Sequence, residues 1–168
     1  MDPIFLWVES SAFSVWARES TSVFAFPTFL AGHALGMACV VGINVAFSLR
    51  LLGVTPGFSG TEMKKVFPLF WVGVWLAVIS GTILLIAYPT KALTNPFFYA
   101  KLVFVGLGVF QIRMIENRVL GNPDLDITPN PKWVRFLAIS SLLCWFGAIA
   151  TGRFLAYTYV RLLVSFDG

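Results

Sequence analysis

The sequence predicts an all-α integral membrane protein, built as a four-helix bundle with an N-terminal amphipathic helix in the membrane interface. Of its 168 residues, 58% are hydrophobic and only 12% are charged, with a mean hydropathy of +0.82. Soluble domains carry about a quarter charged residues. Four apolar stretches also reach the roughly 20 residues that a membrane span requires. We therefore expect a single membrane domain over 1–168, and we exclude a soluble enzyme, a disordered chain and a disulfide scaffold.

The predicted elements follow one another with short connections. Residues 3–18 mix apolar side chains with Glu9, three serines and Arg18, which is typical of a short helix in the interface plane. Because the chain opens with the acidic Asp2 and Glu9 ends its first apolar run early, we expect no cleaved secretory signal. The predicted spans are 24–51, 66–88, 96–115 and 133–160.

The distribution of basic residues predicts the orientation. Cytoplasmic connections are enriched in Lys and Arg. The first and third connections with their flanks hold seven such residues, against three on the other side. This difference favours both termini outside the cytoplasm of a bacterial inner membrane, with the reversed topology as the alternative. The formal charge of +4 is thus a topology signal, and we expect no nucleic-acid partner. The seven are Arg50, Lys64, Lys65, Arg113, Arg118, Lys132 and Arg135, and the three are Arg18, Lys91 and Arg161.

Three ionisable side chains fall inside the predicted spans, namely His33, Lys101 and Arg153. Such residues are costly in lipid and mark functional sites. Counted from one face of the membrane, all three lie roughly 8 to 14 Å deep at 1.5 Å per residue. Helical spacing adds Met37 to the face of His33, and Tyr157 to the face of Arg153. The stripe of His33 continues further along the helix with Val40, Asn44 and Ser48. We expect the bundle to direct His33, Lys101 and Arg153 into one cavity near the outer face.

One imidazole with two cations suits a haem. The iron would take His33 as its axial ligand, and Lys101 and Arg153 would lie near the iron or the propionates. Glycines in the spans would make room for the macrocycle. They would equally serve close helix packing, as the GxxxG of Gly32 and Gly36 does.

Other readings of the same residues stay open. His33 could be a hydrogen-bonded residue that bridges two helices, and Lys101 and Arg153 could snorkel to the interface. The single histidine excludes a bis-histidine haem within one chain and a three-histidine zinc site. His33 and Met37, one helical turn apart, form a candidate copper(I) site.

Two motifs carry a family resemblance. The run GHALG at 32–36, continuing to SLRLLG at 48–53, and the run NPFFYAKL at 95–102 resemble an uncharacterised bacterial family of small integral membrane proteins. That family is similar in pattern to HemJ-type protoporphyrinogen oxidases and CopD-like copper-resistance proteins. The HemJ-type resemblance implies a b-type haem, with His33 as axial ligand and Lys101 as a catalytic site residue. It departs after Lys101, where the sequence reads FQIR at 110–113 in place of a further histidine.

These observations lead to three functional expectations. The first is a b-type haem protein, similar to a cytochrome b, that acts in electron transfer or a membrane-associated oxidation; if it is an enzyme, it is a haem-dependent oxidoreductase. The second is a copper-binding or copper-transport protein that uses His33 and Met37. The third is a non-catalytic accessory subunit of a membrane complex. Beyond the lipid bilayer, we expect a homo-oligomer through the GxxxG face and an electron-transfer partner.

Overall fold

The computed structural model describes residues 7–55, 57, 59–118 and 131–164, with side chains as far as residue 158. The described chain is helical, and the predicted all-α class is confirmed. The helices are α1 (Ala12–Glu19), α2 (Phe26–Leu51), α3 (Gly60–Ala87), α4 (Pro89–Leu93), α5 (Pro96–Arg118) and α6 (Lys132–Val164). Four of them, α2, α3, α5 and α6, are long and apolar enough to cross a membrane.

Helix α3 begins at Gly60, six residues before its apolar stretch at 66. The cause is a capping box, in which the side chain of Ser59 accepts the backbone N–H of Glu62 and the carboxylate of Glu62 accepts the backbone N–H of Ser59 at 2.7 Å. This arrangement satisfies donors that the first turn of a helix leaves without partners. Polar turns can therefore extend a spanning helix beyond the segment that hydropathy detects.

The predicted interfacial helix is broken within its length. Residues 7–9 are helical, and a turn at Ser10 and Ser11 separates them from α1, because the Ser11 side chain accepts the backbone N–H of Ser14 and caps a new helix. Residues 3–6 of this prediction lie outside the described chain. Helix α4, between the second and third spans, was not predicted.

The long helices pack as two hairpins. Helix α2 lies against α3 and α5 against α6, while a contact between α2 and α6 joins the two pairs. The two helices of the first hairpin, α2 and α3, approach each other very closely, because the Cα of Gly36 faces the backbone of Gly73 and Ala77. Helices α3 and α5 make little contact within the described chain, which leaves room between the hairpins.

A polar pair connects the hairpins near the middle of the bundle. The hydroxyl of Ser141 on α6 donates a hydrogen bond to Oδ1 of Asn44 on α2 at 2.8 Å, and both residues are fully buried. Ser48 and Val40 on the same face of α2 are also buried. The predicted inward stripe of α2 is thus found, and an apolar core continues from it toward the end of the bundle at Leu51 and Met63.

Candidate ligand-binding site

The ring of His33 is held in one orientation by α3. Its Nδ1 lies 3.0 Å from the carbonyl oxygen of Ala77 and 3.3 Å from the hydroxyl of Ser80. Because a carbonyl accepts hydrogen bonds and cannot donate them, Nδ1 carries a proton, and in the neutral ring Nε2 then keeps its lone pair. Gly81 gives the ring its space, since a Cβ there would lie 3.1 Å from Cε1 of His33.

Lys101 meets the free nitrogen of this ring. Its Nζ lies 3.4 Å from Nε2 of His33, so the lysine donates and the imidazole accepts. The stem of Lys101 passes Gly152 on α6, where a Cβ would have ordinary contact at 3.7 Å. Among the described residues, no carboxylate lies within 4 Å of Lys101 Nζ. Three helices thus bring a neutral imidazole and an amine without an acidic partner into contact.

The pair lies in the wall of a large cavity with a volume of about 860 Å³. This volume is in the range of 300 to 1,000 Å³ that is typical of ligand sites. Its walls are predominantly apolar and come from all four long helices, and Trp145 is among the lining residues. The apolar side chains that line it include Leu30, Met37, Val74, Val78, Leu84, Leu85, Phe98, Leu102, Val105 and Val109.

Charged groups gather at the end of this cavity nearest α1. Arg18 forms an ion pair with Glu9 at 3.1 Å and donates a further hydrogen bond to the carbonyl of Ala87 at 3.2 Å. The second carboxylate oxygen of Glu9 accepts from the hydroxyl of Thr90 at 2.8 Å. Lys91 also lines this end. The N-terminal segment is thereby fastened to the end of α3 and to α4.

The predicted placement of Arg153 and Tyr157 in this cavity is wrong. Both side chains are exposed, Tyr157 to 68%, and neither lines the cavity. Successive residues of a helix are rotated by about 100°, and α6 turns Gly152, Leu155 and Ala156 toward the cavity instead. The stripe of Arg153 is the outward face of α6, and it also holds Phe146 and Ile149.

Several glycines have a packing role and do not enlarge the cavity. Trp145 occupies the space beside Gly108, and Phe104 occupies the space beside Gly147. Gly36 is used in the contact between α2 and α3. The GxxxG face predicted to support a homo-oligomer is therefore covered within the chain, whereas Gly81 does adjoin the cavity.

Sequence reasoning missed the residues that position the site from other helices. Ala77 and Ser80 lie on α3 and form hydrogen bonds with His33 on α2. Alanine and serine are both ordinary residues in an apolar span, so the sequence does not single them out. Arg18 takes a place at the cavity that was assigned to Arg153. Its position on an amphipathic segment, just before the first span, was the available signal.

Met37 does line the cavity with His33, and no cluster of three or more His, Cys, Asp or Glu side chains suited to a metal ion occurs in the described ranges.

Comparisons with known proteins give a family and no more. A family model described as a family of unknown function (DUF6644) matches residues 4–158. No curated protein and no solved structure matches the chain. The predicted membership of an uncharacterised family is thus confirmed, while the comparisons lend no support to the HemJ-type and CopD-like resemblance.

Proposed function

We propose, from the premise that the chain belongs to the DUF6644 family of unknown function, that it binds haem b in the membrane and acts in electron transfer or an oxidation. The observation that carries the proposal is the setting of His33. Its Nδ1 donates a hydrogen bond to the Ala77 carbonyl, and its Nε2 faces the amine of Lys101 in the wall of a large and predominantly apolar cavity. Histidines that ligate metals commonly donate their other ring N–H to a carbonyl in this way.

The cavity supports a bulky and mostly apolar ligand. Its volume of about 860 Å³ and its lining by leucine, valine and aromatic side chains suit the body of a macrocycle. Such walls exclude water and lower the local dielectric around His33. Arg18 and Lys91 line one end of the cavity, where they would face the acid groups of the macrocycle, in the place that the sequence assigns to Arg153.

Lys101 would be the second functional group. When bound, haem supplies one-electron chemistry between its ferrous and ferric states. The chain's own contribution is to hold the imidazole in place and to keep an amine beside it. Since Nζ of Lys101 now lies against Nε2 of His33, its flexible stem must withdraw for His33 to act as a ligand. Lys101 would then hold a proton next to His33 or, in its neutral form, would be a second residue able to hold the group.

The proposal also draws on sequence. The GHALG and NPFFYAKL runs resemble HemJ-type proteins, and they contain His33 and Lys101, the pair that the helices bring together. The positive-inside rule would put this end of the bundle at the outer face of the membrane. We propose the same location, with an electron-transfer partner on that side.

An optical spectrum tests the proposal directly. The detergent-purified protein, offered haem, is recorded oxidised and then reduced, beside His33→Ala and Arg153→Ala. We expect a Soret band and sharpened reduced bands in the wild type and in Arg153→Ala, whose side chain is exposed, and none in His33→Ala. A wild type that stays colourless would overturn haem binding, and co-purification with larger subunits would then favour an accessory role.

Copper(I) is the second candidate, because Met37 lines the same cavity as His33. A thioether and an imidazole are ligands that copper(I) accepts. Replacing Met37 by Leu removes the sulfur and preserves an apolar side chain of similar size. Copper titration of Met37→Leu should show weakened binding if copper is the ligand, whereas an unchanged haem spectrum in this variant supports haem.

A further inference from the structure

We infer that the ligand of His33 and Lys101 enters from the apolar layer of the bilayer, through a gap between α3 and α5. The ligand class is therefore a lipophilic molecule that carries a hydrogen-bond acceptor or an acid group. For the identity of that ligand as a haem, the inference rests on the proposed function. For the route, it rests on the arrangement of the helices.

The gap follows from how the two hairpins pack. Helix α3 is bound to α2 and helix α5 to α6, and α3 and α5 have little contact with each other in the described chain. Both nevertheless line the cavity, α3 through Val78 and α5 through Leu102. These two side chains are 50% and 51% exposed. On a spanning helix an exposed apolar side chain faces lipid, so the cavity adjoins the acyl chains at this position.

The other approach, from the aqueous side, is closed by the N-terminal segment. Glu9, Arg18 and Glu19 line that end of the cavity. The hydroxyl of Ser14 donates to the carbonyl of Ile86 at 3.1 Å, and Arg18 bonds to the end of the same helix. An apolar molecule would have to displace these charged and hydrogen-bonded groups to enter from water. At the gap it would meet the apolar Val78 and Leu102 and the uncharged Thr82, whose hydroxyl donates to the carbonyl of Val78.

Lys101 indicates what the ligand carries. An amine within a span is costly unless it finds a partner, and the described part of the chain offers Lys101 only the Nε2 of His33. An amino group has up to three N–H donors when protonated, so donors remain for a ligand. A carboxylate or carbonyl on a lipophilic molecule would satisfy them.

The rate at which a single cysteine in the cavity wall is labelled reports the route of entry, and the measurement needs no haem. Gly152→Cys, beside Lys101, is placed in a chain with Cys39→Ala and Cys144→Ala and reconstituted into phosphatidylcholine vesicles. Its thiol is exposed either to pyrene maleimide dissolved in the lipid or to a charged methanethiosulfonate in the water. We expect the lipid-soluble reagent to react about tenfold faster relative to its rate with a free thiol, a difference of roughly 1.4 kcal/mol in activation free energy.

Filling the gap provides the second measurement. Val78→Trp and Leu102→Trp should each slow labelling from the lipid. Val72→Trp and Leu107→Trp are the matched controls, since they place the same side chain on exposed positions of α3 and α5 that do not line the cavity. These controls should label at the rate of the parent.

Three results would overturn the inference. They are equal or faster labelling from water, no labelling by either reagent, and identical lipid-side rates in the gap variants and their controls. The ratio of the two reagents in Gly152→Cys decides the route even if a tryptophan variant fails to fold. Because haem is not used, a failure of haem binding would defeat the proposed function and leave this test intact.

Discussion

At the scale of single residues, the site depends on neighbours that fix one imidazole. His33 is held between the Ala77 carbonyl on one ring nitrogen and Lys101 on the other. The hydroxyl oxygen of Ser80 accepts from the same nitrogen, while the hydroxyl proton is donated to the carbonyl of Leu76 at 2.5 Å. The ring is thus fixed in tautomer and direction before any ligand arrives, which lowers the entropic cost of binding.

Gly81→Ala should weaken ligand binding. Its methyl group would lie 3.1 Å from Cε1 of His33, so the ring must move away from the Ala77 carbonyl. We expect about a tenfold rise in the Kd for haem, or roughly 1.4 kcal/mol. The measurement is a haem titration followed in the Soret region, with Gly106→Ala, where a Cβ meets nothing within 4 Å, as control. Equal Kd values in the two variants would contradict this role of Gly81.

Two arginines at the same end of the bundle should differ in their effect on stability. Arg18 bonds to Glu9 and to the carbonyl of Ala87, whereas Arg153 is exposed. We expect Arg18→Gln to lower the free energy of unfolding by about 1 to 2 kcal/mol. Arg153→Gln should change it by less than about 0.5 kcal/mol. Denaturant unfolding in detergent measures both, and a larger loss in Arg153→Gln would contradict the assignment.

At the scale of helices, the bundle uses small residues to bring α2 and α3 together. Gly36 faces Gly73 and Ala77, so the two backbones touch where any side chain would separate them. The same contact brings the ring of His33 within hydrogen-bond distance of the Ala77 carbonyl. The sequence predicts close helix packing or an oligomer contact at this GxxxG, and the structure uses the motif for packing inside the chain.

Gly36→Ala should therefore destabilise the first hairpin. A Cβ there would lie 2.7 Å from the backbone nitrogen of Ala77, and backbone atoms cannot move aside as a flexible side chain does. Overpacking of this kind costs about 1 to 3 kcal/mol. Thermal unfolding of Gly36→Ala beside Gly42→Ala, which has open space, measures the effect. If the variant instead changed only the oligomeric state, the face would be an intermolecular one.

At the scale of the whole molecule, two hairpins are joined along α2 and α6 and stay apart between α3 and α5. This asymmetry produces both the core near Asn44 and the cavity near His33. The Asn44–Ser141 hydrogen bond lies at the joined side, fully buried. It connects the two halves of the bundle at one fixed register.

The Asn44–Ser141 pair should show measurable coupling in a double-mutant cycle of Asn44→Ala and Ser141→Ala. Interhelical hydrogen bonds of this kind in membranes average about 0.6 kcal/mol and reach about 1.7 kcal/mol. We expect a value in the upper half of that range, because neither residue is exposed to an alternative partner in lipid. Unfolding in bicelles gives the four free energies, and strictly additive losses would show that the pair does not join the hairpins.

The sequence alone determined the composition-driven properties of this protein. Long apolar stretches require helices in lipid, since every backbone group must be satisfied within its own segment. The four spans follow from that rule. The inward stripe of α2 follows from helical periodicity, and the choice of His33 and Lys101 follows from the cost of ionisable groups in lipid. Helix α3 begins before its predicted span, at Gly60, and α5 ends after its predicted span, at Arg118. Hydropathy detects apolar stretches only, so it misses polar helical turns and capping residues.

The tertiary structure decided which face of each helix turns inward. Rotation about a helix axis is fixed by packing against neighbours, and for α6 the packing chose the face of Gly152 over that of Arg153. The same physics placed Arg18 at the cavity and the Ala77 carbonyl on His33, because those contacts join residues distant in sequence. Periodicity identifies the members of a face, and only the packed bundle determines where that face points.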